Sequence, residues 1–110
     1  MEQVMKQYIE RNGQTLKVGV YYDLGGCNPF TYKNEMRGYY ISVIPVERKI
    51  KDGYTSEKSK AYSGIKKLLV EVKRKSKKAE TQALELATEE LIEELIAHVL
   101  KKEEATVATV

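Results

Sequence analysis

The chain of 110 residues holds one cysteine, one histidine and no tryptophan. A single thiol excludes an internal disulfide framework and fits a reducing compartment. A structural zinc site needs four nitrogen or sulfur ligands, more than Cys27 and His98 can supply. A structural zinc site is therefore excluded; no cofactor is expected, and no metal or catalytic residue outside the nuclease reading considered below. No apolar run approaches the roughly 20 residues that span a bilayer. Met1-Glu2-Gln3-Val4 lacks the basic-then-apolar order of a secretory signal. The expectation is a cytoplasmic protein without membrane contact. Past Gly64 there is neither glycine nor proline, so nothing punctuates the second half.

What the chain does have is charge sorted along its length. Residues 48–78 carry twelve Lys or Arg against three acids, a balance of +9. Residues 79–110 carry two lysines against eight acids, a balance of −6, and residues 1–47 are neutral. The net charge of +3 conceals a basic middle and an acidic end. Such asymmetry points to an interaction surface rather than to a reaction.

The first half reads as strands. Leu16, Val18, Val20, Tyr22 and Leu24 alternate with Lys17, Gly19, Tyr21 and Asp23, the period of a half-buried strand. Asn12-Gly13 before it is a two-residue hairpin signal, which makes 4–10 the partner strand. A β-branched run, Tyr39–Val46, follows Gly38, and Pro45 places its end at a sheet edge or a bulge. The turn-rich stretch between these strands, 25–38, is too long for a tight hairpin and is of the kind that carries function. The segment 51–59 reads as a polar connection, leading to a short strand near 60–62.

The second half reads as helix over 64–102 with Ser63 as N-cap and a flexible tail over 103–110. Ile65, Leu68, Leu69, Val72, Ala79, Ala83, Leu86 and Ala87 fall on one side of a 3.6-residue period. Leu84, Leu91, Ile92, Leu95, Ile96 and Val99 form a second stripe, about a third of a turn away. One core cannot cover both stripes of a straight helix. Either the helix breaks around 76–88, which is the expected solution, or a second copy covers one stripe in a homodimer. The whole is one α+β domain: a small antiparallel sheet of three to four strands followed by C-terminal helices or one long bent helix.

On a helical wheel Lys66, Lys67, Lys73, Arg74, Lys77 and Lys78 form a basic ridge, joined by Lys58 and Lys60. It is either a phosphate-contacting surface or a solvated face, with Glu85, Glu89, Glu90, Glu93 and Glu94 as internal partners if the acidic helix folds back. Eight tyrosines stand against one phenylalanine. Tyr21-Tyr22 and Tyr39-Tyr40 place one ring of each pair on each face of a sheet. The outward rings, with Tyr32 and Tyr54 in loops, are candidate stacking or anchoring groups. Arg37, Tyr39 and Tyr32 complete the candidate contact set.

Enzyme readings are weaker. If 68–73 were a strand, Glu71 and Lys73 would share a face, like the ExK half of restriction-endonuclease-like nucleases, with Asp23 or Asp52 as the upstream acid. A helix there separates them. Cys27 and His98 lack a third group to orient a base. Arg37-Gly38-Tyr39 resembles the opening of an RNA-recognition-motif signature, but Tyr40 stands where a small residue belongs. Ser76-Lys77-Lys78-Ala79 with Ala83-Leu84 resembles the last helix of double-stranded-RNA-binding domains, whose N-terminal helix is missing here.

Gly25-Gly26-x-Asn28-x-Phe30-Thr31, Glu35-x-Arg37-Gly38-Tyr39-Tyr40-x-Ser42-Val43-x-Pro45-Val46 and Tyr62-x-Gly64 followed by a basic segment together resemble small orphan proteins of phages and mobile elements of gut bacteria. The resemblance spans roughly residues 15–87. It implies a genomic setting and no activity. Short accessory proteins in that setting often bind and block a host machine, anti-CRISPR inhibitors among them. The leading expectation is thus a non-enzymatic protein docking on a host or phage protein, with direct nucleic-acid binding as the alternative.

Overall fold

The computed structural model describes residues 2–27, 34–59 and 64–108, with side chains to Lys101. The chain is α+β. A mostly antiparallel sheet is followed by two C-terminal helices. β1 (Glu2–Arg11) and β2 (Gln14–Asp23) form the expected hairpin across Asn12-Gly13. Both turn residues take positive φ, 53° and 74°, which matches the twist of the flanking strands. β3 (Gly26–Cys27) and β4 (Asn34–Glu35) make a minor hairpin of their own. β5 (Gly38–Lys51) then pairs with β2 from Gly38↔Asp23 to Val46↔Thr15.

The other edge of β5 is shared by two strands. β6 (Tyr54–Ser59) pairs with Val46–Lys51, and β7 (Ile65–Glu71) pairs with Gly38–Val43. Both run antiparallel to β5, β6 along its C-terminal part and β7 along its N-terminal part. Pro45, expected at a sheet edge or a bulge, lies instead within β5, in regular register opposite Leu16 of β2.

These two strands correct the sequence reading. Residues 54–59 are not a polar connection; Asp52-Gly53 (φ 52° and 79°) is a second tight hairpin turn. β6 lacks an apolar alternation because all six of its residues are exposed. Residues 65–71 are not the start of a helix. The run Ile65–Glu71 fits both periods, and the edge of β5 beside buried Tyr39 and Ile41 needs a backbone partner. The predicted N-cap Ser63 and the strand near 60–62 lie outside the described residues.

The helices begin later than expected. α1 (Lys77–Leu86) is capped by Ser76, whose Oγ accepts from Ala79 N–H at 3.1 Å. The expected break falls at Ala87-Thr88: Ala87 leaves helical geometry, and Thr88 Oγ1 accepts from Leu91 N–H at 3.2 Å. α2 (Glu89–Ala108) runs on through most of the stretch read as a tail. Both helices lie against β5 and β7. Ala79 and Ala83 of α1 and Ile92, Leu95, Ile96 and Val99 of α2 close over Leu16, Val18, Val20, Tyr22, Tyr39, Ile41 and Val43. Ile92, Leu95, Ile96 and Val99 of the second stripe are therefore covered within one chain, whereas Leu84 of that stripe and Leu86 of the first remain exposed. Leu24 is not part of this core, because β2 ends at Asp23.

A Cβ on Gly38 would sit 2.2 Å from the Val70 carbonyl oxygen and 2.9 Å from Leu68 Cδ1. Gly38→Ala must push β7 off β5, so denaturant unfolding should show a loss of about 1–3 kcal/mol. Ser76→Ala should cost about 1 kcal/mol by removing the cap.

Candidate functional site

The basic ridge does not exist as one helix face. Lys66 and Lys67 are on β7, Lys73 and Arg74 in the bend after it, and Lys77 and Lys78 are the first two residues of α1. What remains together is a compact basic turn over 73–78, exposed throughout. Lys75 pairs with Glu2, and its pKa is raised by that hydrogen bond. Among the described residues none of Lys73, Arg74, Lys77 and Lys78 forms a salt bridge. Of the five helix acids expected as partners, only Glu93 forms a salt bridge among the described residues, and with Arg11 at 2.6 Å. Lys77 and Lys78 also face the positive end of the α1 dipole, where cations are unfavourable.

Arg37 ties this turn to the end of the sheet. Its Nη1 donates to the Lys73 carbonyl at 2.8 Å and its Nε to the Leu24 carbonyl at 3.3 Å. Its own carbonyl accepts from Val72 N–H at 3.0 Å. The chain leaves β2 through Gly25, whose N–H donates to Asp23 Oδ1 at 2.9 Å. Gly25 (φ 76°) packs against the backbone of Glu35–Arg37, where a Cβ would meet the Glu35 carbonyl oxygen at 2.6 Å. Leu24 and Met36 flank that crossing, 62% and 53% exposed. Two apolar side chains and a run of cations thus share one end of the molecule. Sequence reasoning placed Leu24 in the strand pattern and, within the 27–37 loop expected to dock on a partner, did not single out Met36.

The tyrosine expectation needs correction. Tyr22 and Tyr39 face the helices, and Tyr21 and Tyr40 the far side, as alternation requires. All four are nonetheless buried. Tyr39 is 0% exposed and its hydroxyl donates to the Ser76 carbonyl at 3.1 Å, so it offers no surface to a partner. Tyr21 and Tyr40 stack at 6.0 Å beneath Lys66, whose Nζ lies 4.3 Å from the Tyr40 centroid. Lys66 in turn reaches Glu35 at 2.5 Å and Asp23 at 3.4 Å. Burial works to lower its pKa, but the Glu35 hydrogen bond and neighbouring negative groups outweigh it, and the pKa is raised. Burial pushes Tyr21 up to about 12. Lys66 is therefore a brace joining β7, β2 and β4, and this triad was not legible in the sequence. Lys67 is exposed on the β7 edge strand, and Tyr32 lies outside the described residues.

The strand assignment of β7 revives half of the ExK geometry. Glu71 and Asp23 both pair with Gly38, so they lie in one row across three strands, about 10 Å apart at two strand spacings. Lys73, however, lies past the end of β7 with its carbonyl held by Arg37. Asp52 is at the opposite end of β5. Among the described residues no three His, Cys, Asp or Glu side chains converge as metal ligands. Cys27 on β3 and His98 on α2 are both exposed.

A third feature is an arm. Past Val46, β5 loses β2 and pairs only with β6. The arm is latched across the far face of the sheet. Tyr8 hydroxyl donates to Glu57 Oε1 at 2.5 Å, Lys17 reaches Glu57 at 3.5 Å, and the Arg48 guanidinium lies 4.2 Å from the Tyr8 ring centroid. The Tyr8 hydrogen bond lowers the Glu57 pKa and raises that of Tyr8.

Two measurements check these arrangements. Lys77→Glu and Lys78→Glu place favourable charges in the first turn of α1, so each should raise stability by about 0.3–1 kcal/mol in low salt. The latch should hold at neutral pH. A depressed carboxylate pKa means stability present above the ordinary value of 4.5 and lost as pH falls through the Glu57 pKa. A raised phenol pKa means stability lost only above 10. Arm amide shifts should change at both limits in the native chain; Tyr8→Phe should abolish the alkaline step and move the acid step up towards 4.5.

No helix among the described residues is long and apolar enough to cross a membrane. Comparison with protein-family models, with curated proteins and with solved structures finds no match to this chain.

Proposed function

We propose that this is a small non-enzymatic binding protein that docks on a protein partner through the Leu24–Met36 end of its sheet. The observation that carries the reading is the placement of two exposed apolar side chains beside a basic turn, clasped to it by Arg37. Apolar anchors bordered by charge suit a partner surface with an apolar pocket and an acidic rim. The resemblance to phage and mobile-element proteins favours a host or phage protein as that partner, a host-defence complex included. The folded core supplies rigidity; Arg37 fixes the approach of the turn, and Lys73 and Arg74 steer encounter.

The lysines at the N-terminus of α1 favour a second reading, in which Lys73, Arg74, Lys77 and Lys78 hold nucleic-acid phosphates. The cost of placing cations at that helix end would then be offset by anion binding.

Affinity capture from bacterial lysate separates the two. On the docking reading, the native chain retains a defined protein that Leu24→Asp/Met36→Asp releases, with affinity down more than tenfold, while Ile50→Asp on the arm leaves capture unchanged. Capture unaffected by the double substitution would overturn the docking reading. Nucleic-acid binding whose salt slope drops when the four cations are replaced by Gln would establish the second.

A further inference from the structure

The arm has an exposed face of definite composition. Register places Glu47 opposite Lys58, Lys49 opposite Ser56 and Lys51 opposite Tyr54, so these six residues share one side of a two-stranded ribbon. Arg48, Ile50, Thr55 and Glu57 share the other side. The latch engages the second side, through Arg48 and Glu57. It thereby occupies one acid of the arm and turns the lysine side away from the sheet. Among the described residues no carboxylate lies within salt-bridge distance of Lys49, Lys51 or Lys58. Ile50 and Tyr54, near the tip, are each 80% exposed. Every residue from Glu47 to Ser59 is exposed, so the hydrophobic core does not require this ribbon.

An isolated two-stranded ribbon is marginal in water. Here a tight turn and a latch hold one rigid, with three lysines on one side. We propose that the arm is a duplex DNA contact, lying in the major groove with its lysine side against the phosphate backbone. A groove about 12 Å wide admits a two-stranded ribbon. Lys49 and Lys51, two residues apart, are about 6.8 Å apart along the strand, which equals the axial rise over two phosphates of one DNA strand. Tyr54 and Ile50 supply apolar contacts at the tip, against sugars and thymine methyl groups. This assignment stands apart from the docking reading, since it uses another end of the fold. If both hold, the protein joins a protein partner to DNA.

The test is a fluorescence-anisotropy titration of a labelled duplex of mixed sequence, about two helical turns (~20 base pairs) long, over a series of salt concentrations. The native chain should bind. Lys49→Gln/Lys51→Gln/Lys58→Gln should lower the slope of log affinity against log salt by about 2.7, at about 0.9 for each phosphate no longer neutralised. Lys73→Gln/Arg74→Gln/Lys77→Gln, the same charge change at the basic turn, should leave the slope unaltered. Amide shift changes on adding duplex to the native chain should centre on 47–58, a readout independent of how any variant folds. No duplex binding at low salt, binding to single strands alone, a slope unchanged by the arm substitutions, or one lowered only by the basic-turn substitutions would each overturn the assignment.

Discussion

A central strand must have hydrogen-bond partners on both edges, and β5 is long enough that no single neighbour supplies them. β2 satisfies one edge as far as Val46, and β6 and β7 divide the other. Most of the architecture follows from that requirement. β7 exists because the buried stretch Tyr39–Val43 would otherwise leave unpaired backbone groups beneath the helices. The helices dock where β5 and β7 lie side by side. The arm exists because β5 continues after β2 has ended. Arg37 sits immediately before this strand and fastens the turn that returns the chain from β7 to α1.

The parts of the fold legible from residue types were those whose partners are neighbours in sequence. Asn12-Gly13 between two alternating runs identified β1 and β2, and the β-branched run identified β5. β7 was misread because Ile65–Val72 has an apolar pattern compatible with either period, and only the demand of a strand far earlier in the chain decides between them. β6 carries no pattern because both its faces are wet. For the candidate surface, composition located the cations but not their arrangement, since the wheel assumed a helix where the chain makes a strand and a bend. The Asp23–Lys66–Glu35 brace joins three elements whose order along the chain gives no hint of their meeting. Tyrosine alternation was legible; the burial of the far-side pair was not, because a lysine covers it.

Charge sorting along the chain becomes spatial sorting in a particular way. The basic middle does not gather into one patch. It divides between the bend after β7 and the lysine side of the arm, at opposite ends of β5, while one lysine is spent on the internal brace. The acidic helices contribute one ion pair to the sheet among the described residues, through Arg11 and Glu93. Two separated cationic surfaces with different companions, exposed apolar groups at one and a narrow ribbon at the other, are suited to two different contacts.

In the strand order β1-β2-β5-β6, with β7 beside β5, two ladders skip an element: the minor hairpin lies between β2 and β5 in the chain, and β6 lies between β5 and β7. β1–β2 and β5–β6 join segments that follow one another across a tight turn, whereas β2–β5 and β5–β7 join segments that other elements separate. The two hairpins need little loop closure before their contacts form, whereas the two longer-range ladders must close larger loops first, which slows folding. Two tight turns set the first registers, and the helices need only collapse onto a sheet already zipped. Closing β7 onto β5 across the whole of β6 is then the entropically costliest step in assembling the sheet.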